Sequence, residues 1–157
     1  TSGLDLKVDY KYDLNYATVR YDLGGTYILK YKEGLYAGGP VIDKIGQNGL
    51  PQMRFSTGVG VNVPQWWNMD TYLSANYIDS QSQDYIADTG EEVGHIASQT
   101  TWNLNVGVYA PWDGKIQVGV KNMFNSGPSL ESDGFTYNED LYSIDGRIYY
   151  LDYAQKF

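Results

Sequence analysis

The residues that could carry chemistry are few. The chain has 157 residues, one histidine (His95) and no cysteine. Thiol catalysis, disulfide scaffolds and cysteine zinc sites are therefore excluded together, and multi-histidine metal centres with them. Asp79, Asp84, Asp88, Glu91, Glu92 and His95 crowd one stretch. Carboxylates suit a hard cation, but this spacing fits no calcium loop, and the stretch is expected to be a solvated acidic loop without metal. No Gly-x-Ser-x-Gly elbow, no glycine-rich phosphate loop and no carboxylate pair in a defined cleft is present, so neither an enzyme nor a cofactor is expected. Gly24-Gly25 and Gly58-x-Gly60 fall inside strand patterns, where glycine marks a bend or a close backbone approach. Eleven basic against nineteen acidic residues give a net charge of −8, which argues against nucleic acid, a ligand that requires a basic surface.

What remains is a set of charges embedded in alternating sequence and a set of aromatics outside it. Arg20, Arg54, Asp70 and Lys121, with Asp22 and Asp152, all fall on the polar side of an alternation. Tyr36, Tyr85, Phe135 and Tyr137 fall in the longer connections. Such rings could stack on a sugar or a chelate ring, or simply pack the loops.

The elements that hold these residues are strands. No window places apolar groups at helical spacing between caps, whereas period-two alternation runs through most of the chain. One face reads Leu4, Leu6, Val8, Tyr10, Tyr12 against Asp5, Lys7, Asp9, Lys11. The same pattern recurs with Val19 to Tyr31, Met53 to Val63, Trp67 to Tyr77, Trp102 to Ala110, Ile116 to Val120, and Tyr149 with Leu151, Tyr153 and Phe157. No charged residue occurs on the apolar side of any of these seven stretches. A soluble sandwich also alternates, but its strands cluster at about 5–6 residues, and these are longer.

The connections alternate too. Asp13-Leu14-Asn15-Tyr16, Pro64-Gln65-Trp66 and Pro111-Trp112-Asp113-Gly114 have tight-turn chemistry, while residues 32–52, 79–100 and 122–146 form long connections. Tyr10, Tyr12, Trp66, Trp67, Trp112, Tyr153 and Phe157 gather at the short-turn end, like the aromatic girdle of a membrane interface. This is the pattern of a transmembrane antiparallel β-barrel, whose alternation keeps mean hydropathy low even in lipid. Seven strands start and finish in the same direction and cannot close antiparallel, and an open edge is not viable in hydrocarbon. The chain is thus expected to be one arc of a larger barrel, with other strands and outer-membrane lipid as partners.

The C-terminal third sharpens this. Val118-Gly119-Val120-Lys121-Asn122-Met123-Phe124-Asn125-Ser126-Gly127-Pro128 and Tyr142-Ser143-Ile144-Asp145-Gly146-Arg147-Ile148-Tyr149-Tyr150, ahead of a terminal Phe157, resemble the last two strands of TonB-dependent outer-membrane receptors. Gln155 departs from the pattern, which usually has an aromatic or apolar residue there. Thr1-Ser2-Gly3-Leu4-Asp5-Leu6 and Gly25-Thr26-Tyr27 are similar to interior strands of such receptors. The resemblance implies a 22-stranded barrel around an N-terminal plug, in the outer membrane of a Gram-negative bacterium, with residues 1–157 forming its C-terminal portion. It implies active uptake of a scarce nutrient, energised by the inner-membrane TonB complex through an N-terminal region absent here. It also implies that Phe157 is read by the insertion machinery. The inward charges Arg20, Arg54, Asp70 and Lys121 would then bond to the plug or to one another, or else touch substrate. The readings from other classes are a soluble or adhesive carbohydrate-binding β-domain and a passive porin without a plug.

Overall fold

The computed structural model describes residues 1–34, 36, 38–47, 49–85, 92–131 and 136–155, with 84, 85, 92 and 93 described by backbone alone. Seven long strands follow the alternating stretches: β1 (Ser2–Asp13), β2 (Thr18–Lys30), β5 (Met53–Val63), β6 (Met69–Ile78), β9 (Gln99–Tyr109), β10 (Gly114–Lys121) and β11 (Ile148–Gln155). Two short hairpins, β3 (Lys32–Gly34) with β4 (Val41–Asp43) and β7 (Gln81–Tyr85) with β8 (Glu92–Ile96), lie in the first two long connections. The long strands form one antiparallel sheet in the order β1-β2-β5-β6-β9-β10-β11, and no helix occurs among the described residues. The sheet is open. β1 and β11 are its two edges and run in the same direction, from the long-connection end to the short-turn end.

The register carries the alternation across every strand boundary. Tyr10, Tyr21, Val59, Leu73, Leu104, Val120 and Tyr149 form one continuous row of paired residues. The next row of that face is Tyr12, Val19, Val61, Thr71, Val106, Val118 and Leu151. A slip of one residue at any boundary would have turned a charged set onto this face. The apolar face is therefore a single charge-free surface seven strands wide.

Nothing among the described residues covers that surface. The buried apolar residues are Ala17, Ala75, Ile96, Ala110 and Tyr142. Tyr149 is 72% and Leu151 69% exposed, and Leu4, Leu6, Tyr10, Val59 and Val118 are exposed with them. A folded soluble chain of this length buries well over half its surface around a core. Among the described residues the sheet has no second layer, and the one fully buried large side chain, Ile96, belongs to a connection.

Some boundaries differ from the sequence reading. Trp67, expected on a strand face, lies in the β5–β6 turn with a φ of 53°, and Asn68 beside it has a φ of 49°. That turn is closed by Asn68 N–H donating to Pro64 O at 3.1 Å, and β6 starts only at Met69. Trp67 packs edge-on against Trp112 of the β9–β10 turn at 6.3 Å between ring centroids, so the short-turn aromatics do cluster. The long connections are also more ordered than alternation and turn chemistry suggest, as the two hairpins attest.

The two motifs behind the family resemblance meet at the long-connection end. Asn122 is buried and takes a left-handed φ of 50°. Its amide donates to Ser126 O at 2.8 Å and Asp145 O at 3.3 Å, its carbonyl accepts from Ser126 N–H at 2.9 Å, and its own N–H reaches Asn103 Oδ1 at 3.0 Å. Asn125 Oδ1 accepts from Arg147 N–H at 2.8 Å. These two side chains hold the start of β11 to the end of β10 across a 26-residue connection. Asn122→Ala removes the three side-chain bonds and puts at the left-handed position a residue that tolerates it less well than asparagine. It is expected to cost about 2 kcal/mol, read as a lowered unfolding midpoint of the intact protein, with Asn122→Gly milder than an alanine that keeps the strain.

Candidate functional site

The polar face is concave. Side chains from β1, β2, β6, β9, β10 and β11 line a cavity of about 740 Å³, and a second of about 540 Å³ lies nearer the long connections. Of the charges singled out in sequence, Arg20, Asp70 and Lys121 line the first, while Arg54 lines the second, which it shares with Lys121. Alternation put all four on one face, and the register then divides them between two recesses.

Arg20 and Asp70 face each other directly, Nη2 donating to Oδ1 at 2.5 Å. Both side chains keep a third or more of their surface in solvent, so the pair adds at most about 1 kcal/mol to stability; its effect is to fix the guanidinium against the wall. Lys7 and Lys11 pair along β1 with Asp9 at 3.2 Å and Asp13 at 3.1 Å. Lys121 lies over the Tyr150 ring, Nζ 5.9 Å from its centroid. Asp22 accepts the Tyr72 hydroxyl on both oxygens, at 2.8 and 3.0 Å. Asp152 sits opposite Gln117 in the β10–β11 ladder.

The sequence reading missed the tyrosines of this face. Tyr72 and Tyr150 belong to one paired row that runs Lys11, Arg20, Gly60, Tyr72, Asn105, Gly119, Tyr150. Both lie down over glycines. A β-carbon at Gly58 would collide with the Tyr72 ring, and one at Gly119 with the Tyr150 ring. The Tyr150 hydroxyl accepts from Asn105 Nδ2 at 2.7 Å. The signal available in sequence was a tyrosine and a glycine both on the polar side of neighbouring strands, but it acquires meaning only once the register is known.

The expected loop aromatics do not converge. Tyr36 is 68% exposed with its ring against Gly39, and Tyr137 lines a separate shallow depression with residues 139–145. The Tyr85 side chain, Phe135 and Phe157 lie outside the described residues, as do Asp88, Glu91 and the side chains of Asp84 and Glu92. Of the rest of the acidic stretch, Asp79 Oδ1 accepts from Tyr77 Oη at 3.0 Å and Ser80 N–H at 2.9 Å, and His95 pairs with Ser82 in the β7–β8 ladder. Among the described residues no three of His, Cys, Asp and Glu converge as metal ligands do.

The long connections instead build a common roof around one buried amide. Gln81 is 2% exposed. Its Oε1 accepts from Gly49 N–H at 2.8 Å in the first connection, and its Nε2 donates to the Tyr142 hydroxyl at 2.9 Å in the third. Ser82 donates to Gly46 O through both its N–H, at 2.6 Å, and its hydroxyl, at 3.1 Å. Burial pushes the Tyr142 phenol above its ordinary value, against the opposing pull of the Gln81 bond and the Arg54 charge. What the site offers chemically is a polar, partly roofed wall that can bind and orient a solute, with no activated nucleophile among its described residues. No protein-family model matches the chain, and neither a curated protein nor a solved structure matches it.

Proposed function

We propose that this chain is the C-terminal part of the barrel wall of a TonB-dependent outer-membrane receptor, an active importer of a scarce nutrient in a Gram-negative bacterium. The observation that carries the reading is the charge-free apolar face, continuous over seven registered strands and covered by no other layer of the described residues. Water does not tolerate such a face on a stable monomer, and hydrocarbon is the solvent it fits. The unpaired edges of β1 and β11 support the reading as well, because they call for further strands of the same barrel. So do the three tight turns at one end and the roofed connections at the other, which fit periplasmic and extracellular sides. On this reading the polar face looks into the lumen toward a plug, the partners are the remaining strands, the plug, the TonB complex and lipid, and the chain catalyses nothing.

The test is topological. In cells producing the intact protein, a tag after Gly127 is expected to be labelled from outside, and a tag at Asp113 only after the outer membrane is opened. Recovery of the protein in buffer without detergent, or equal labelling of both tags, would overturn the proposal in favour of the soluble β-domain. A passive porin would import the solute without the inner-membrane energy source, whereas this reading requires it.

A further inference from the structure

The polar face of the edge strand β1 alternates strictly in sign: Asp5, Lys7, Asp9, Lys11, Asp13. The strand beside it does not answer this order. In the β1–β2 ladder Asp9 stands directly opposite Asp22, and Lys11 directly opposite Arg20. Like charges in directly opposed positions disfavour the pairing. Lys7 faces Gly24, which has no side chain to offer. Only the two ends of the row are bonded to β2, where Thr26 and Thr18 donate their hydroxyls to Asp5 at 2.6 Å and Asp13 at 2.7 Å.

The charges of β2 are committed in the other direction. Arg20 lies against Gly60 of β5 and reaches Asp70 of β6, while Asp22 accepts the Tyr72 hydroxyl of β6. The middle of the β1 row is left with partners on its own strand, Lys7 with Asp9 and Lys11 with Asp13. These side chains stay between 63% and 79% exposed, and pairs of that kind contribute little. The opposite edge is different, since the polar face of β11 reads Ile148, Tyr150, Asp152, Ala154 and carries one charge.

Charge on an edge strand can also keep other strands away. A row of one sign does that best, whereas an alternating row attracts any strand of inverse order. We propose that the free edge of β1 is a docking surface for an antiparallel strand with acidic residues opposite Lys7 and Lys11 and a basic residue opposite Asp9. The occupant is a neighbouring strand of the same barrel, so the inference rests on the receptor reading and adds the chemistry that selects that strand. Directly opposed side chains have their β-carbons about 4.5–5.5 Å apart, close enough for ion pairs. The order also fixes register. A one-residue slip is barred by the apolar face, but a two-residue slip leaves that face intact. Here such a slip would set acid on acid and base on base.

The test is zero-length carbodiimide coupling of the intact protein in outer-membrane vesicles, followed by peptide mapping. Lys7 and Lys11 are each expected to be joined to a carboxylate outside residues 1–157, within one stretch of period-two alternation. The two carboxylates should lie as far apart as Lys7 and Lys11 do, in reversed order. Links confined to residues 1–157, or a link into a stretch without alternation, would overturn the proposal. Lys11→Glu gives a second readout, because it turns the like pair with Arg20 into an opposite one and so costs little within this chain. Against a complementary outer strand it is instead expected to raise the unfolding constant about fivefold, and exchange of the linked carboxylate for lysine should recover most of that. An unfolding constant that is unchanged or lowered would overturn the proposal. Outer-membrane insertion is measured on the same preparations. A protein that inserts yet couples only within β1 overturns this inference alone, whereas a protein found in buffer overturns the receptor reading and this inference with it.

Discussion

Leu104→Arg is expected to destabilise the protein by about 2–4 kcal/mol in a bilayer, because it sets a cation at the middle of β9 on the lipid-side row. Leu104 pairs with Leu73 on one side and Val120 on the other, so no carboxylate is within reach to offset the charge. Asn103→Arg, one residue away, points into the polar face beside Ser74 and Lys121, and is expected to cost only about 1 kcal/mol, chiefly the lost acceptor for the Asn122 N–H. Reversible urea unfolding of the intact protein in lipid vesicles gives both numbers. Equal costs would mean that the two faces have been exchanged, and the lipid assignment would fall with them.

Gln81→Leu is expected to cost about 1–3 kcal/mol, but locally. The substitution takes the acceptor from the partly buried Gly49 N–H and one of its partners from the buried Tyr142 hydroxyl, which keeps Ser129, and a group left without its partner costs about 1–3 kcal/mol. Amide exchange at Gly49 should accelerate by at least tenfold while exchange in β5, β6 and β9 is unchanged. Acceleration throughout the sheet would show that the roof and the wall unfold as one unit. The Tyr142 phenol adds a pH dependence of known sign. Its value is raised above 10.0 in the fold, so its contribution is complete below about pH 10 and is lost as the pH climbs through the raised value.

The seven long strands were legible because the alternation is unbroken and one face excludes charge, a constraint local enough to read along the chain. The register was not spelled out, yet charge segregation rules out every one-residue slip, and the tight turns select among the remaining even shifts once neighbours are known. The turn at Trp67 was misread because a left-handed backbone at a tryptophan leaves no mark in the alternation. The hairpins in the connections and the Gln81 hub were invisible for a different reason. The hub depends on contacts between residues 32 and 61 positions apart in sequence, where neither periodicity nor turn chemistry reports, and the hairpin strands of three and five residues are too short for alternation to mark. Tyr72 and Tyr150 looked like two more polar-side tyrosines; their posture is set by glycines on adjacent strands. The loop aromatics were attractive by type alone, and Tyr36 and Tyr137 turn out to serve different surfaces.

The asparagine pair at the base of the third connection separates two properties that a hairpin normally binds together. In a tight hairpin the number of residues in the loop dictates which residues of the two strands face each other. Here Asn122 and Asn125 fix the entry of β11 against β10 below the loop, so the length of what lies above them is free to drift. Doubling a flexible segment beyond Gly127 adds only about 0.6 kcal/mol of closure entropy, less than the clamp contributes. Surface variation can therefore accumulate at the outer end of this connection without shifting a single residue of the wall between its two faces.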